Sequence, residues 1–215
     1  MRQGKHTLFF FKQKNIVTFL YCFIITFIIT LIVTSCNETY TPKRNGYFRI
    51  DFPKERKYIT YDNTVCPFTF EYANFGLIQK DSSDIDEMTN HPCWFNVIYP
   101  DYKAKIYLSY TAISSSNPLD KLIKDSYKLT FKHTVKADYI DETPIKGKNE
   151  NVTGILYDVG GNAASAVQFY LTDSKQHFLR GSLYFFAEPN TDSIAPVVTY
   201  FREDVEHLVE TFEWK

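Results

Sequence analysis

The run from Ile16 to Val33 holds eighteen residues without a charge, follows Arg2, Lys5, Lys12 and Lys14, and ends in Val33-Thr34-Ser35-Cys36. A basic start, an apolar stretch and small residues at its end mark an export signal, which leaves before the mature fold matters. Val33, Thr34 and Ser35 before Cys36 also fit the bacterial lipobox, in which the cysteine becomes the lipidated first residue. Cleavage is expected after Ser35, so that residues 1–35 are removed and the mature chain starts at Cys36. Acyl chains such as palmitate contribute about 0.8 kcal/mol per buried methylene, and two or more make the attachment stable. The chain is thus expected to be anchored to a membrane rather than to span it. The other reading is an uncleaved transmembrane helix, since eighteen uncharged residues are about enough to cross a bilayer. The small-small-Cys ending argues for the signal.

Removing 35 of 215 residues leaves 180, enough for one ordinary domain on a tether. The signal takes four basic residues and no acids, leaving 20 Lys and Arg against 25 Asp and Glu, a net charge of −5. Such a field argues against nucleic acid as a partner. Cys22 leaves with the signal and Cys36 carries lipid, so Cys66 and Cys93 remain in a compartment that permits disulfides. A bond between them is expected. Two buried thiols packing as small apolar residues is the alternative. A metal site is disfavoured, because neither cysteine has a second Cys or a His at ligand spacing, and His91 two residues before Cys93 is only a faint hint.

Residues 37–46 are polar, with turn-forming Thr41-Pro42-Lys43-Arg44-Asn45-Gly46, and read as a tether reaching a few nanometres at most. One domain is expected over 47–215. Tyr47 to Phe52, Lys57 to Tyr61, Cys66 to Tyr72, Cys93 to Tyr99 and Ala104 to Ala112 alternate as strands do. Asp81 to Glu87 reads as a solvated acidic loop; a calcium site is the lesser alternative, for the glycine and terminal glutamate of an EF-hand loop are missing. Asn117 and Pro118 predict a helix start, Asn117 as cap, with the helix running to Lys136. Lys124, Lys128, Lys132 and Lys136 would form one basic stripe, a solvated face or a contact for phospholipid heads or an acidic partner. A linker is expected through 143–148. Val152 to Val159, Ala163 to Thr172 and His177 to Ala187 predict a meander, joined by turns at Gly160-Gly161-Asn162 and Asp173 to Gln176. A last helix from Asp192 to Phe212 is expected to have Pro196 in its first turn and an apolar stripe through Phe201, Val205 and Leu208.

The class is therefore α+β, an antiparallel β-sheet covered by two amphipathic helices. The order of elements resembles the PsbP/Mog1-like layout.

Chemistry-bearing motifs are sparse. His91, His133, His177 and His207 are not spaced as ligand pairs. Ser165 is the best candidate nucleophile, with His177 as the other residue of an envelope-hydrolase reading, but Gly-x-Ser-x-Gly is missing and a glycine turn explains its neighbours. There is no P-loop, dinucleotide fingerprint or HExxH, and no cofactor is expected. Aromatics stand out instead: 16 Tyr, 19 Phe and 2 Trp. Most must form core, but an exposed sheet face with Trp94 or Tyr107 would suit an envelope glycan or small ligand.

Five stretches together, Cys36 to Lys43, Gly46 to Pro53, Cys66 to Tyr72, Gly154 to Ser165 and Phe201-Arg202-Glu203-Asp204, resemble the GldD family of gliding-motility lipoproteins of Bacteroidota. The resemblance covers essentially the mature chain. It implies a non-enzymatic component required for gliding, a machinery shared with the type IX secretion system, working with other gliding lipoproteins as scaffold or stabiliser. It implies no catalytic residue or cofactor. Family context places such a protein in the outer membrane facing the periplasm, and Glu38 as the sole acid soon after Cys36 agrees with retention there.

Overall fold

Alternating strands with aromatic residues on one side need a partner for that side, and here a helix and a second sheet supply it. The computed structural model describes residues 18–29, 49–80, 91–147, 150–186 and 191–215. Val33, Thr34, Ser35 and Cys36, the tether and the acidic run 81–87 lie outside the described residues, as does the side chain of His133. The chain divides into two units, Met1–Gly46 and Tyr47–Lys215. In the first, residues 18–29 form helix α1, where the Thr26 hydroxyl donates to the Cys22 carbonyl. Among the described residues no helix is long and apolar enough to cross a membrane.

The second unit is α+β. Strands β1 (Tyr58–Asp62), β2 (Phe68–Ala73) and β10 (Glu213–Trp214) form a small sheet in the order β1-β2-β10. Strands β3 (Leu77–Lys80), β4 (Trp94–Tyr99), β5 (Ala104–Ala112), β6 (Ala137–Lys146), β7 (Thr153–Gly161), β8 (Ser165–Thr172) and β9 (His177–Phe185) form the large one, ordered β3-β4-β5-β9-β8-β7-β6. Every pairing is antiparallel. Helices α2 (Leu119–Phe131) and α3 (Thr191–Glu210) complete it.

Register divides the large sheet into two faces. Val97, Ile106, Leu183 and Val167 lie opposite one another across four strands, and all are buried. With Phe169, Leu171 and Leu179 they share one core with Val197, Phe201, Val205 and Leu208 of α3. Spacings of four, four and three place those α3 residues on one stripe. Phe68 and Phe70 of β2 and Phe212 join the same core. On the opposite face α2 brings Leu119, Leu122 and Ile123 against Tyr157, Tyr170 and Phe178. Gly181 makes room for the Phe169 ring, since a Cβ there would meet ring carbons 2.1 Å away.

Several expectations are corrected. Residues 49–52 are not strand. Phe52 stacks instead on Tyr200 of α3, centroids 4.2 Å apart. Residues 143–146 belong to β6 rather than to a linker; β6 is an edge strand, where Pro144 loses no ladder bond that a neighbour needs. Asn117 does not cap α2: its backbone closes a turn with Ser114 and Pro118 takes the cap position, without a side-chain bond. The helix ends at Phe131 and residues 132–135 form a 3-10 turn, so the lysine stripe is interrupted after Lys128. Pro196 lies inside α3, on an exposed position, not in its first turn.

The segment that leads into β1 is fastened to α3. Arg56 lies over the Tyr200 ring at 3.9 Å, pairs with Glu203 at 2.7 Å and reaches Asp204 at 3.6 Å. The Tyr58 hydroxyl donates to Asp204 at 3.1 Å. Burial pushes the Asp204 carboxyl above its ordinary range, and Arg56 and Tyr58 oppose that shift. Below the unfolded value, near 3.8, Asp204 is neutral in both states. As pH rises through the folded value the unfolded chain has already ionised, and the native state carries the cost of a buried charge. Arg56→Ala is therefore expected to destabilise the protein by about 3 kcal/mol at pH 7 and by clearly less at pH 3.5, read from denaturant unfolding at the two pH values.

Candidate functional site

Trp94 opens β4 and Tyr110 lies near the end of β5, and because these strands are antiparallel neighbours their ends meet. The result is a cleft of about 540 Å³ lined among others by Val65, Pro67, His91, Cys93, Trp94 and Tyr110. Trp94 is held by two contacts. Its indole Nε1 donates to the Tyr110 carbonyl at 2.7 Å, and the His91 ring stacks on it at 4.3 Å and 13°. The Tyr110 hydroxyl lies 2.8 Å from His177 Nδ1, and the His177 ring stacks on Trp214 at 5.1 Å. Two stacked ring pairs, His91 on Trp94 and His177 on Trp214, are thus linked through the backbone carbonyl and the hydroxyl of Tyr110. Burial raises the Tyr110 phenol, with the charge of Asp173 adding to the effect.

The cleft's rim is fixed by sulfur and by a turn. Cys66 and Cys93 are bonded, their Cα atoms 5.6 Å apart, and the Tyr61 hydroxyl donates to Cys66 Sγ at 3.4 Å. Asp173 Oδ1 accepts from the backbone amides of Lys175, Gln176 and His177, each at 2.9 Å, which sets where His177 begins β9. Burial works against the Asp173 charge, but those amides and His177 outweigh it and hold the carboxyl below its ordinary range. Such a cleft offers aromatic faces and few charges, the makeup of a stacking site rather than of an acid–base site.

The residues singled out from sequence fall in different places. Trp94 and Tyr107 are both half-buried and lie on one sheet face as diagonal neighbours. Ser165 is fully buried, and its hydroxyl donates to the Val167 carbonyl at 3.3 Å. It pairs with Tyr184, seven residues along β9 from His177, roughly 23 Å at strand rise. Ser165 and His177 therefore do not form a nucleophile and base. His207 is paired with Glu71 at 2.8 Å. Among the described residues no three His, Cys, Asp or Glu side chains stand close enough to hold a metal.

Two features escape sequence reasoning. His91, Tyr110 and Trp214 join Trp94 and His177 only because three elements end at one place. The fastening of Phe52 and Arg56 to α3 likewise joins residues about 150 apart in sequence. A second link, Arg202 of α3 to both oxygens of Asp158 in β7, joins two of the stretches that carried the family resemblance.

Trp94→Phe keeps the ring but removes the donor to Tyr110, leaving a carbonyl without its bond. The expected cost is about 1 kcal/mol, measured by denaturant unfolding.

The family model described as gliding motility lipoprotein GldD matches residues 37–214. No curated protein matches the chain. Among solved structures, the solution structure of cyanobacterial PsbP (CyanoP) from Synechocystis sp. PCC 6803 is similar at 12% identity and a TM-score of 0.42, over 78% of this chain and 98% of that one.

Proposed function

Because the chain belongs to the gliding motility lipoprotein GldD family, we propose that it is a lipid-anchored, non-enzymatic component of the gliding and type IX secretion apparatus that holds or stabilises envelope partners. Family membership carries the gliding role and the association with the cell envelope as a lipoprotein. In this reading Cys36 bears the acyl chains after cleavage behind Val33, Thr34 and Ser35, and the domain faces the periplasm from the outer membrane. Its partners are the membrane itself and other gliding or secretion lipoproteins.

The observation that supports a holding role is the way the chain enters the domain. Phe52 and Arg56 are stacked and ion-paired onto α3, and α3 forms one core with the large sheet. A pull arriving along residues 47–57 is delivered to the most buried helix rather than to a fraying terminus. Crosslinking and affinity recovery of the lipidated chain from native envelopes should bring other gliding or secretion components with it. Cys36→Ser chain should recover none and should leave cells unable to glide. Recovery of the anchored chain alone would refute the reading.

The bond between Cys66 and Cys93 would close a loop of 27 residues and stabilise the exported domain by about 3 kcal/mol in the chain-entropy view. Unreduced peptide mass spectrometry of envelope protein should give the two cysteines in one linked pair. Two freely alkylated thiols would exclude it.

The Trp94 cleft favours a second reading, an envelope glycan- or small-ligand-binding lipoprotein. Sugar rings stack on aromatic faces, and Trp94 is positioned by its bond to Tyr110. Saturable binding of cell-wall fragments, lost in Trp94→Ala, is its expected signature.

A further inference from the structure

The face of the large sheet opposite α3 holds a positive charge that the fold does not balance. Across β5, β9 and β8, Ser109, Arg180 and Tyr170 stand side by side, and in the next row of the same face stand Tyr107, Ser182 and Gln168. The Arg180 guanidinium donates through Nη2 to Gln168 Oε1 at 2.6 Å and meets the Tyr184 hydroxyl. No carboxylate is paired with it among the described residues, whereas Arg49, Arg56 and Arg202 each have one. Its Nε is shielded from solvent and has no partner among the described residues.

The neighbours are in the same condition. Gln168 and Ser182 are 1% and 0% exposed, and Gln168 Nε2 and Ser182 Oγ have no partner among the described residues. The orientation of the Gln168 amide is settled by chemistry, because Arg180 can only donate and so must face the oxygen. The Thr130 hydroxyl of α2, 3.2 Å from the same oxygen, holds it there. That turns the amide nitrogen away from the guanidinium as a free donor. Burial lowers the affinity of Arg180 for its proton, but a guanidinium keeps its charge in proteins.

A buried charge without a counter-charge is costly, and buried donors without acceptors add to the cost. Arg180 Nε, Gln168 Nε2 and Ser182 Oγ are thus three buried donors without an acceptor among the described residues, at neighbouring positions of one sheet face. We propose that the Arg180, Gln168 and Ser182 cluster binds a small monocarboxylate. Charge parity chooses the ligand: one cation matches one negative charge, whereas a phosphate dianion would leave one in excess. Geometry agrees, since guanidinium and carboxylate are both planar and pair through two parallel bonds. Arg180 keeps a partly exposed side chain through which such a ligand arrives. The site shares no lining residue with the cleft, although Trp94 stands in the same row two strands from Arg180, and it does not depend on the scaffold reading.

The test uses the full lipidated chain in detergent micelles, with thermal unfolding followed at constant ionic strength against acetate, propionate, inorganic phosphate and chloride. Acetate or propionate should raise Tm saturably by about 5 °C, phosphate and chloride should not, and Arg180→Gln should abolish the response. Ser182→Ala, which removes one donor without a charge, should weaken binding about tenfold and serves as the variant if Arg180→Gln does not fold. Absence of a saturable carboxylate response, an equal response to phosphate or an undiminished response in Ser182→Ala would each overturn the assignment.

Discussion

Helix α3 is gripped from two sides, and the rest of the domain depends on that grip. Phe201, Val205 and Leu208 enter the core shared with the large sheet, while Tyr200, Glu203, Asp204 and His207 are taken up by Phe52, Arg56, Tyr58 and Glu71 from the segment before β1 and from the small sheet. A helix buried on two sides cannot leave one partner without exposing the other. The chain then turns at Thr211, whose hydroxyl accepts from the Glu71 amide, and β10 adds to β2. The final residues of the sequence thus lock down strands laid near its beginning. Contacts spanning about 140 residues close the domain, which makes its folding cooperative and comparatively slow.

The polar contacts in this grip differ in worth. Arg49 with Asp51 is a pair of exposed side chains and contributes little in water. Asp204 is different, because its side chain is wholly buried and its charge is answered by Arg56 and Tyr58, with a smaller contribution from His207. Its second oxygen, together with the Tyr99 and Tyr200 hydroxyls, has no partner among the described residues. The fastening of the N-terminal segment is therefore stabilising only as a set, since Arg56, Tyr58 and Asp204 were desolvated together.

Much of the fold was legible in the sequence, for reasons that can be named. Strands β7, β8 and β9 were readable because runs of branched and aromatic residues are bounded by Gly161, which takes φ +88°, and by the Asp173 turn. The stripe of α3 was readable because it repeats at helical spacing. What failed were places where a residue serves a distant partner. Tyr47 to Phe52 alternates like a strand, yet Phe52 spends its ring on Tyr200. Pro144 reads as a breaker, yet an edge strand accepts it. The cleft was half legible: Trp94 and His177 stood out as residue types, while their link through Tyr110 depends on register between β5 and β9, which no local pattern encodes.

The two faces of the large sheet follow different rules. Toward α3 the rows are mostly apolar, and the charge that enters them, Asp158, is met by both terminal nitrogens of Arg202. Toward α2 the rows mix Tyr157, Tyr170 and Phe178 with Asn96, Gln168, Arg180 and Ser182, and all four of those polar residues carry an atom without a partner among the described residues. Packing alone does not account for this difference, because Leu or Val at Ser182 would fill the same row without desolvating a hydroxyl. Natural chains depart from full satisfaction of buried polar groups mainly where a site must be kept ready for something else. On the α3 side the partnerless atoms are spread over Tyr99, Tyr200, Asp204 and Trp214, whereas on the α2 face Gln168, Arg180 and Ser182 stand together at neighbouring positions of β8 and β9.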